Sequence, residues 1–243
     1  MSESAEADQA AAERRQQAIG VESGAARAAV LGINDGLVTN TALILGVVGA
    51  TDVIGVVQLT GLASLVAGAC SMAAGEYVSM RAQVELLERL LEDERRAMIA
   101  APERERAVIR GALEKHGFDP VITEQATRGL ANNIDRALDV YSRVVLGVNP
   151  DELGSPRAAA LTSAIAFATG ALIPLVPWYL APRPVALGAS LALAGLAALG
   201  IGGALGHLSN HRVIRSALRQ LLVVALASAI TFLVGRLLGV VAS

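Results

Sequence analysis

PVALGASLALAGLAALGIGGALGH, residues 184–207, contains no acid and no Lys or Arg, and its reading decides the fold. An α-helix needs roughly 20 mainly apolar residues to cross a hydrocarbon core of about 30 Å; this run is long enough. Outward from it, similar runs occur at about 28–50, 54–80, 158–180 and 217–241. Ala50-Thr51-Asp52 separates the first two, and Ala181-Pro182-Arg183-Pro184 separates the third from the fourth, so each pair reads as a helical hairpin. One such run fits the core of a soluble protein. Five predict an all-α polytopic membrane protein with five transmembrane helices in a lipid bilayer.

Composition agrees. Of 243 residues, 53% are hydrophobic and 17% charged, whereas a soluble domain carries about 25% charged residues. Disordered, collagen-like and ordinary cytosolic-enzyme classes are excluded. A net charge of -2 without a basic face argues against a nucleic-acid partner. The single cysteine, Cys70, allows neither an internal disulfide nor a cysteine-rich metal site. Residues 1–27 lack the apolar segment of a signal peptide and read as a cytoplasmic tail.

The basic residues set the expected orientation, because cytoplasmic segments retain Lys and Arg. Arg14, Arg15 and Arg27, the twelve bases from Arg81 to Arg157, and Arg212, Arg215 and Arg219 all fall on one side of five crossings. Only Arg183 and Arg236 fall toward the other. The N-terminus and the middle segment are therefore expected in the cytoplasm, the C-terminus outside, and the chain in the cytoplasmic membrane. All Asp and Glu residues lie at or before Glu152, so residues 153–243 offer a cation no carboxylate. The last three spans, residues 158–243, read as scaffold, with the Gly202 to Gly206 spacing suited to close helix contact.

The intramembrane polar residues are the candidate site. Asp35 sits in the first two spans (28–80) within LGINDGLVTN, and Glu76 within SMAAGEYVSM. A carboxylate in a span costs at least a few kcal/mol and usually faces a cavity or partner; the plainer reading pairs each with Arg27 or Arg81 at headgroup level. Met72, Glu76 and Met80 recur every four residues and share a helix face. Two thioethers and a carboxylate suit a borderline transition metal such as Fe²⁺ or Mn²⁺ better than Na⁺ or Ca²⁺, while methionine as gap-filler explains the same spacing. Asn34 and Asp35 followed by Gly36 weaken the first helix where interrupted transporter helices border substrate. His207 and His211, four apart at a turn, fit interfacial polar residues and stay outside the site.

Residues 81–157 hold fourteen acids and twelve bases, broken at Pro102, at Gly117-Phe118-Asp119-Pro120 and at Val148-Asn149-Pro150. Apolar residues at helical spacing predict a cytoplasmic three-helix domain, about 81–100, 103–116 and 121–146. The first helix continues the second span, since no breaker separates Met80 from Glu94. Its acids are interleaved with arginines, as on a solvated, ion-paired face.

VLGINDGLVTNTALILGVVGA (30–50), AGACSMAAGEYVSMRAQVE (67–85) and NPDELGSPRAAALTSAIAFATGALIPLVPW (149–178) resemble the vacuolar iron transporter family, over nearly the whole chain after residue 24. The chain is read as a bacterial member. The resemblance implies a homodimer that moves Fe²⁺ or Mn²⁺ out of the cytoplasm along its interface in exchange for protons, with no tightly bound cofactor. Asp35 looks like the pore aspartate and Met72 like the pore methionine, and Glu76 falls in the Gly-Glu-Tyr-Val-Ser motif. Such alternation needs a carboxylate whose proton affinity rises with burial and falls with a bound cation. The resemblance also implies a cytoplasmic metal-binding domain, from which this chain departs. Aligned ligand positions fall at Glu94 and Ala97, at Glu105 and Val108, and at Tyr141, Ser142 and Val145. Glu94 and Glu105 alone keep carboxylates, so a degenerate domain serving mainly dimerisation is expected. The competing reading is a non-transporting membrane scaffold or metal sensor of the same fold. An enzyme is not expected, because no nucleophile motif accompanies the histidines.

Overall fold

The computed structural model describes residues 24–130, 133–149, 154–208 and 212–242; the tail expected over 1–27 lies largely outside them, as does His211. The helices are α1 (Gly24–Ala50), α2 (Ile54–Ala100), α3 (Pro102–Lys115), α4 (Pro120–Leu130), α5 (Ile134–Tyr141), α6 (Pro156–Leu175), α7 (Pro177–Leu180), α8 (Arg183–Leu208) and α9 (Val213–Ala242). Five of them, α1, α2, α6, α8 and α9, contain a segment long and apolar enough to cross a membrane. The chain divides into two compact units, one of residues 78–156 and one of residues 25–77 with 157 onward. The helix α2 is unbroken across that division, as the absence of a breaker after Met80 predicts.

In the apolar unit, neighbouring contacts fix the helix directions. Gly32 meets Ser163 and Gly36 meets Phe167, so α1 and α6 run parallel. Gly46 meets Thr231 and Gly239 meets Ala50, so α1 and α9 also run parallel. Gly61 of α2 meets Leu175 and Gly68 meets Phe167, which makes α2 antiparallel to α6. Gly206 meets Val213 and Gly202 meets Ala217, which turns α8 against α9 through the spacing read as a contact stripe. Directions alternate along the chain, as five successive crossings require. At the end holding the turns 51–53 and 181–182, Arg183 pairs with Asp52 and donates to the carbonyls of Val48 (3.3 Å) and Thr51 (3.2 Å). One guanidinium thereby satisfies carbonyls that the end of α1 leaves open.

The third span departs from the expected unbroken run 158–180. Pro174 and Pro177 carry no N–H, and the helix stops at Leu175 before the short α7. Side chains of three other helices take up nearby carbonyls: Asn40 donates to Ala171, Ser190 to Pro174 and Gln58 to Trp178, each at 2.7 Å. Apolar burial closes the same region around Ile44, Val48, Val57, Leu175 and Trp178.

In the charged unit, Leu87, Met98, Ile109, Tyr141, Val145 and Leu146 form the core. Gly117, at φ 89°, ends α3, and the Asp119 carboxylate accepts from the N–H groups of Val121 (2.8 Å) and Ile122 (3.3 Å) to start α4. The helix expected over 121–146 is instead divided. Asn133 caps α5 by accepting from the Arg136 N–H at 3.0 Å, a side-chain alternative that competes with helix continuation. A π-helical turn over Ser142–Leu146 then closes at Gly147, φ 72°.

Glu124 anchors the surface charges of this unit. It accepts from Arg110 at 2.8 Å and from Arg128 at 2.9 Å. The Arg110 hydrogen bond first, then that of Arg128, hold its carboxyl below the usual glutamate range; Glu124 in turn holds the Arg110 guanidinium above its ordinary value. A depressed folded value gives stability that is fully present above the unfolded value of about 4.3 and is lost as pH falls through the folded value. Glu124→Gln is therefore expected to lower the melting temperature at pH 7, with the gap to wild type closing as pH falls below about 4. Melts followed by circular dichroism across that range check this; a gap independent of pH contradicts it.

Candidate functional site

Along α1, residues on two faces do different jobs. Gly32 and Gly36 lie against the α6 backbone: a Cβ on Gly32 would stand 2.8 Å from the Ser163 carbonyl oxygen, and one on Gly36 would overlap the carbonyl of Phe167. From the other side, a Cβ on Gly170 would overlap the carbonyl of Ile33. Backbones that approach this closely fix the rotation of α1 about its axis. The face left uncovered carries Leu31, Asp35 and Thr39, all exposed. The Thr39 hydroxyl donates to Asp35 Oδ1 at 3.0 Å.

Asn34, expected beside the path, is half-buried next to Asp35. Its Oδ1 accepts from Gln220 Nε2 of α9, so its amide is occupied within the bundle beside Asp35. Asn40, fully buried, spends its amide N–H on Ala171, and its Oδ1 finds no donor among the described residues.

The α2 stripe is not uniform. Met72 and Glu76 are half-buried, next to exposed Cys70, Ser71, Ala74 and Gly75. Met80 is buried at 3% exposure within the charged unit, with Gly154 against its methyl group. Glu94, also in that unit, is 1% exposed, and half-buried Glu105 lines a cleft with Met98, Ile109, Thr127 and Ile134. Tyr141 and Val145 are core residues and Val108 packs against that core, so hydrophobic contact occupies these three of the aligned ligand positions. Among the described residues, no three His, Cys, Asp or Glu side chains converge as a metal cluster. His207 is exposed.

Sequence reasoning missed two partners of this region, Thr39 and Gln220. Each had a signal: a hydroxyl four residues after the intramembrane aspartate, and a single amide in the uncharged stretch 220–235. The Gly32-x-x-x-Gly36 spacing around Asp35 was a third.

Five membrane-length helices, with a carboxylate on the open face of one of them, define a polytopic membrane protein. The sequence matches the VIT family over residues 26–236, and the chain belongs to that family, whose members are transporters and not enzymes. It is 31% identical to vacuolar iron transporter 1 of Arabidopsis thaliana over 204 residues, 84% of this chain and 82% of that protein. It is 36% identical to vacuolar iron transporter homolog 1 of Oryza sativa subsp. japonica over 219 residues, 88% of this chain and 73% of that protein. Vacuolar iron transporter 1 of Eucalyptus grandis is 31% identical over 204 residues, 84% and 82% of the two chains.

Proposed function

We propose that the chain moves Fe²⁺ or Mn²⁺ out of the cytoplasm in exchange for protons, along a path at the interface of a homodimer. The supporting observation is Asp35: a carboxylate in an apolar span, exposed on a face that the described residues leave uncovered. Against lipid, that placement would cost at least about 2.5–3.5 kcal/mol. A second copy facing it replaces lipid by a polar cleft with Asp35 on both walls, where a bound cation or proton offsets the repulsion between the two carboxylates. The exposed small residues Ser71, Ala74 and Gly75 beside Glu76 let a second backbone approach. Relatives named for iron transport favour iron as cargo, and Met72 adds a soft ligand that suits Fe²⁺ or Mn²⁺ over Ca²⁺.

In this reading Asp35, Met72 and Glu76 pass the ion, Asn34 and Met80 hold the neighbouring structure, and Glu94 and Glu105 at most collect metal weakly. As a bacterial member the protein works in the cytoplasmic membrane, with residues 81–157 inside and the C-terminus outside, following the placement of Lys and Arg. Purified protein in vesicles carrying an imposed pH gradient is expected to move Fe²⁺ or Mn²⁺ at a rate that rises with the gradient. No metal flux would leave a non-transporting scaffold or sensor, a reading that the apolar core at Tyr141 and Val145 also accommodates.

A further inference from the structure

Four helical threonines of this chain share a habit, from which Thr39 departs. Thr41, Thr60 and Thr169, all within spans, donate their hydroxyls to the carbonyl four residues earlier, of Leu37 (2.6 Å), Val56 (2.7 Å) and Ile165 (2.8 Å). Thr127 does the same with Thr123 at 2.8 Å. That is the default for a helical threonine where water is scarce. Thr39 has an equivalent carbonyl within the same turn but gives its hydrogen to the Asp35 carboxylate, Oδ1, at 3.0 Å. Asp35 and Thr39 sit four apart on the one face of α1 that the bundle leaves open. Asn34, the neighbouring polar side chain, is engaged by Gln220, which leaves Thr39 as the donor that reaches the carboxylate among the hydrogen bonds of the described residues.

We propose that Thr39 is a positioning residue for the ion: it fixes the rotamer of Asp35 and takes one lone pair of Oδ1, which favours ligation of the metal through Oδ2. This rests on the transport reading above and adds to it a residue and a coordination mode. Two physical consequences follow. Pre-setting the carboxylate spares the ion the cost of ordering it, so the effect falls on binding of the ion more than on turnover. One-oxygen ligation fits the small octahedral shell of Fe²⁺ or Mn²⁺, whereas Ca²⁺ takes more oxygens and uses both atoms of a carboxylate readily. Thr39 thereby disfavours Ca²⁺ at Asp35.

The test uses full-length protein reconstituted in vesicles, with Fe²⁺ and Mn²⁺ uptake measured for wild type, Thr39→Val and Thr39→Ser, each normalised to incorporated protein. Thr39→Val is expected to raise KM about three- to tenfold with kcat changed less than about twofold, the net scale of one ordinary, solvent-exposed hydrogen bond. Ca²⁺ is expected to inhibit the Val variant more strongly than wild type. Thr39→Ser keeps the hydroxyl and is expected to restore wild-type KM and Ca²⁺ resistance. An unchanged KM and Ca²⁺ sensitivity in Thr39→Val, or a Ser variant as impaired as Val, overturns the assignment while leaving the transport reading intact. Absence of flux in wild type overturns the transport reading itself, and this assignment with it.

Discussion

Asp35→Asn will cut Fe²⁺ or Mn²⁺ flux by on the order of 100-fold or more, a loss at or beyond the upper end of what removing support for a metal ligand costs. The substitution keeps the size and shape of the side chain. It also keeps an acceptor for the Thr39 hydroxyl, which donates to Oδ1 at 3.0 Å, so charge is the main thing lost. An ion crossing an apolar span without water depends on fixed negative charge to offset its dehydration. A neutral amide offers only a dipole, and it gains no proton when the ion leaves. Initial uptake rates in vesicles, wild type against variant at matched protein density, read the result. Flux within twofold of wild type would place the ion's route away from α1.

Gly36→Val carries the largest expected effect on folding. A Cβ at Gly36 would overlap the carbonyl of Phe167, and Ala171 N would lie 3.0 Å away. Those are backbone atoms of α6 and cannot swing aside as the end of a side chain does. Overfilling a well-packed site ordinarily costs about 1–3 kcal/mol; with helix backbone on both sides, the cost exceeds that range. The variant is expected to aggregate in detergent or to melt at least about 10 °C below wild type. Gly200→Ala is the matched control, because nothing lies within 4 Å of the position where its Cβ would stand. It is expected to be neutral or stabilising by up to about 1 kcal/mol. Size-exclusion profiles and the fluorescence of buried Trp178 follow both. Equal behaviour of the two variants would remove the argument for a backbone contact at Gly36.

The spans were legible because a bilayer leaves few options: a run such as 184–207 must be helical, and its length is set by the hydrocarbon it crosses. The extension of α2 past Met80 was legible for a local reason, the lack of any breaker before Ala101. The division at Asn133 was not, because a run of good helix formers gives no sign that one side chain will take the Arg136 N–H. The break after Leu175 had its signal in Pro174 and Pro177, yet the apolar count outweighed it. Asp35 could be singled out because charge in an apolar run is conspicuous. Which way Asn34 turned depended on Gln220, a residue far along the chain that no local pattern connects to it. Met72, Glu76 and Met80 share a period, but a period does not say what covers each residue. Met80 is covered by Gly154, a contact outside the reach of helix spacing.

Stiffness in the bundle is unequally shared. At α1, α6 and α9 the glycines rest on backbone: Gly36 on Phe167, Gly170 on Ile33, Gly235 on Gly46 and Gly239 on Ala50. Backbone lodged against backbone permits neither sliding nor rolling without lifting the helices apart, so these three behave as one solid block. The apolar part of α2 is seated differently. Gly61 leans on the Leu175 methyl and Gly68 on the Phe167 ring, while a Cβ added at Gly55 or Gly75 would meet nothing within 4 Å. Methyls and rings yield by rotamer changes, which cost little beside a broken backbone contact. Of these four helices, the one that carries Met72 and Glu76 has the softer seats, and Asp35 stands on the side where backbone rests on backbone.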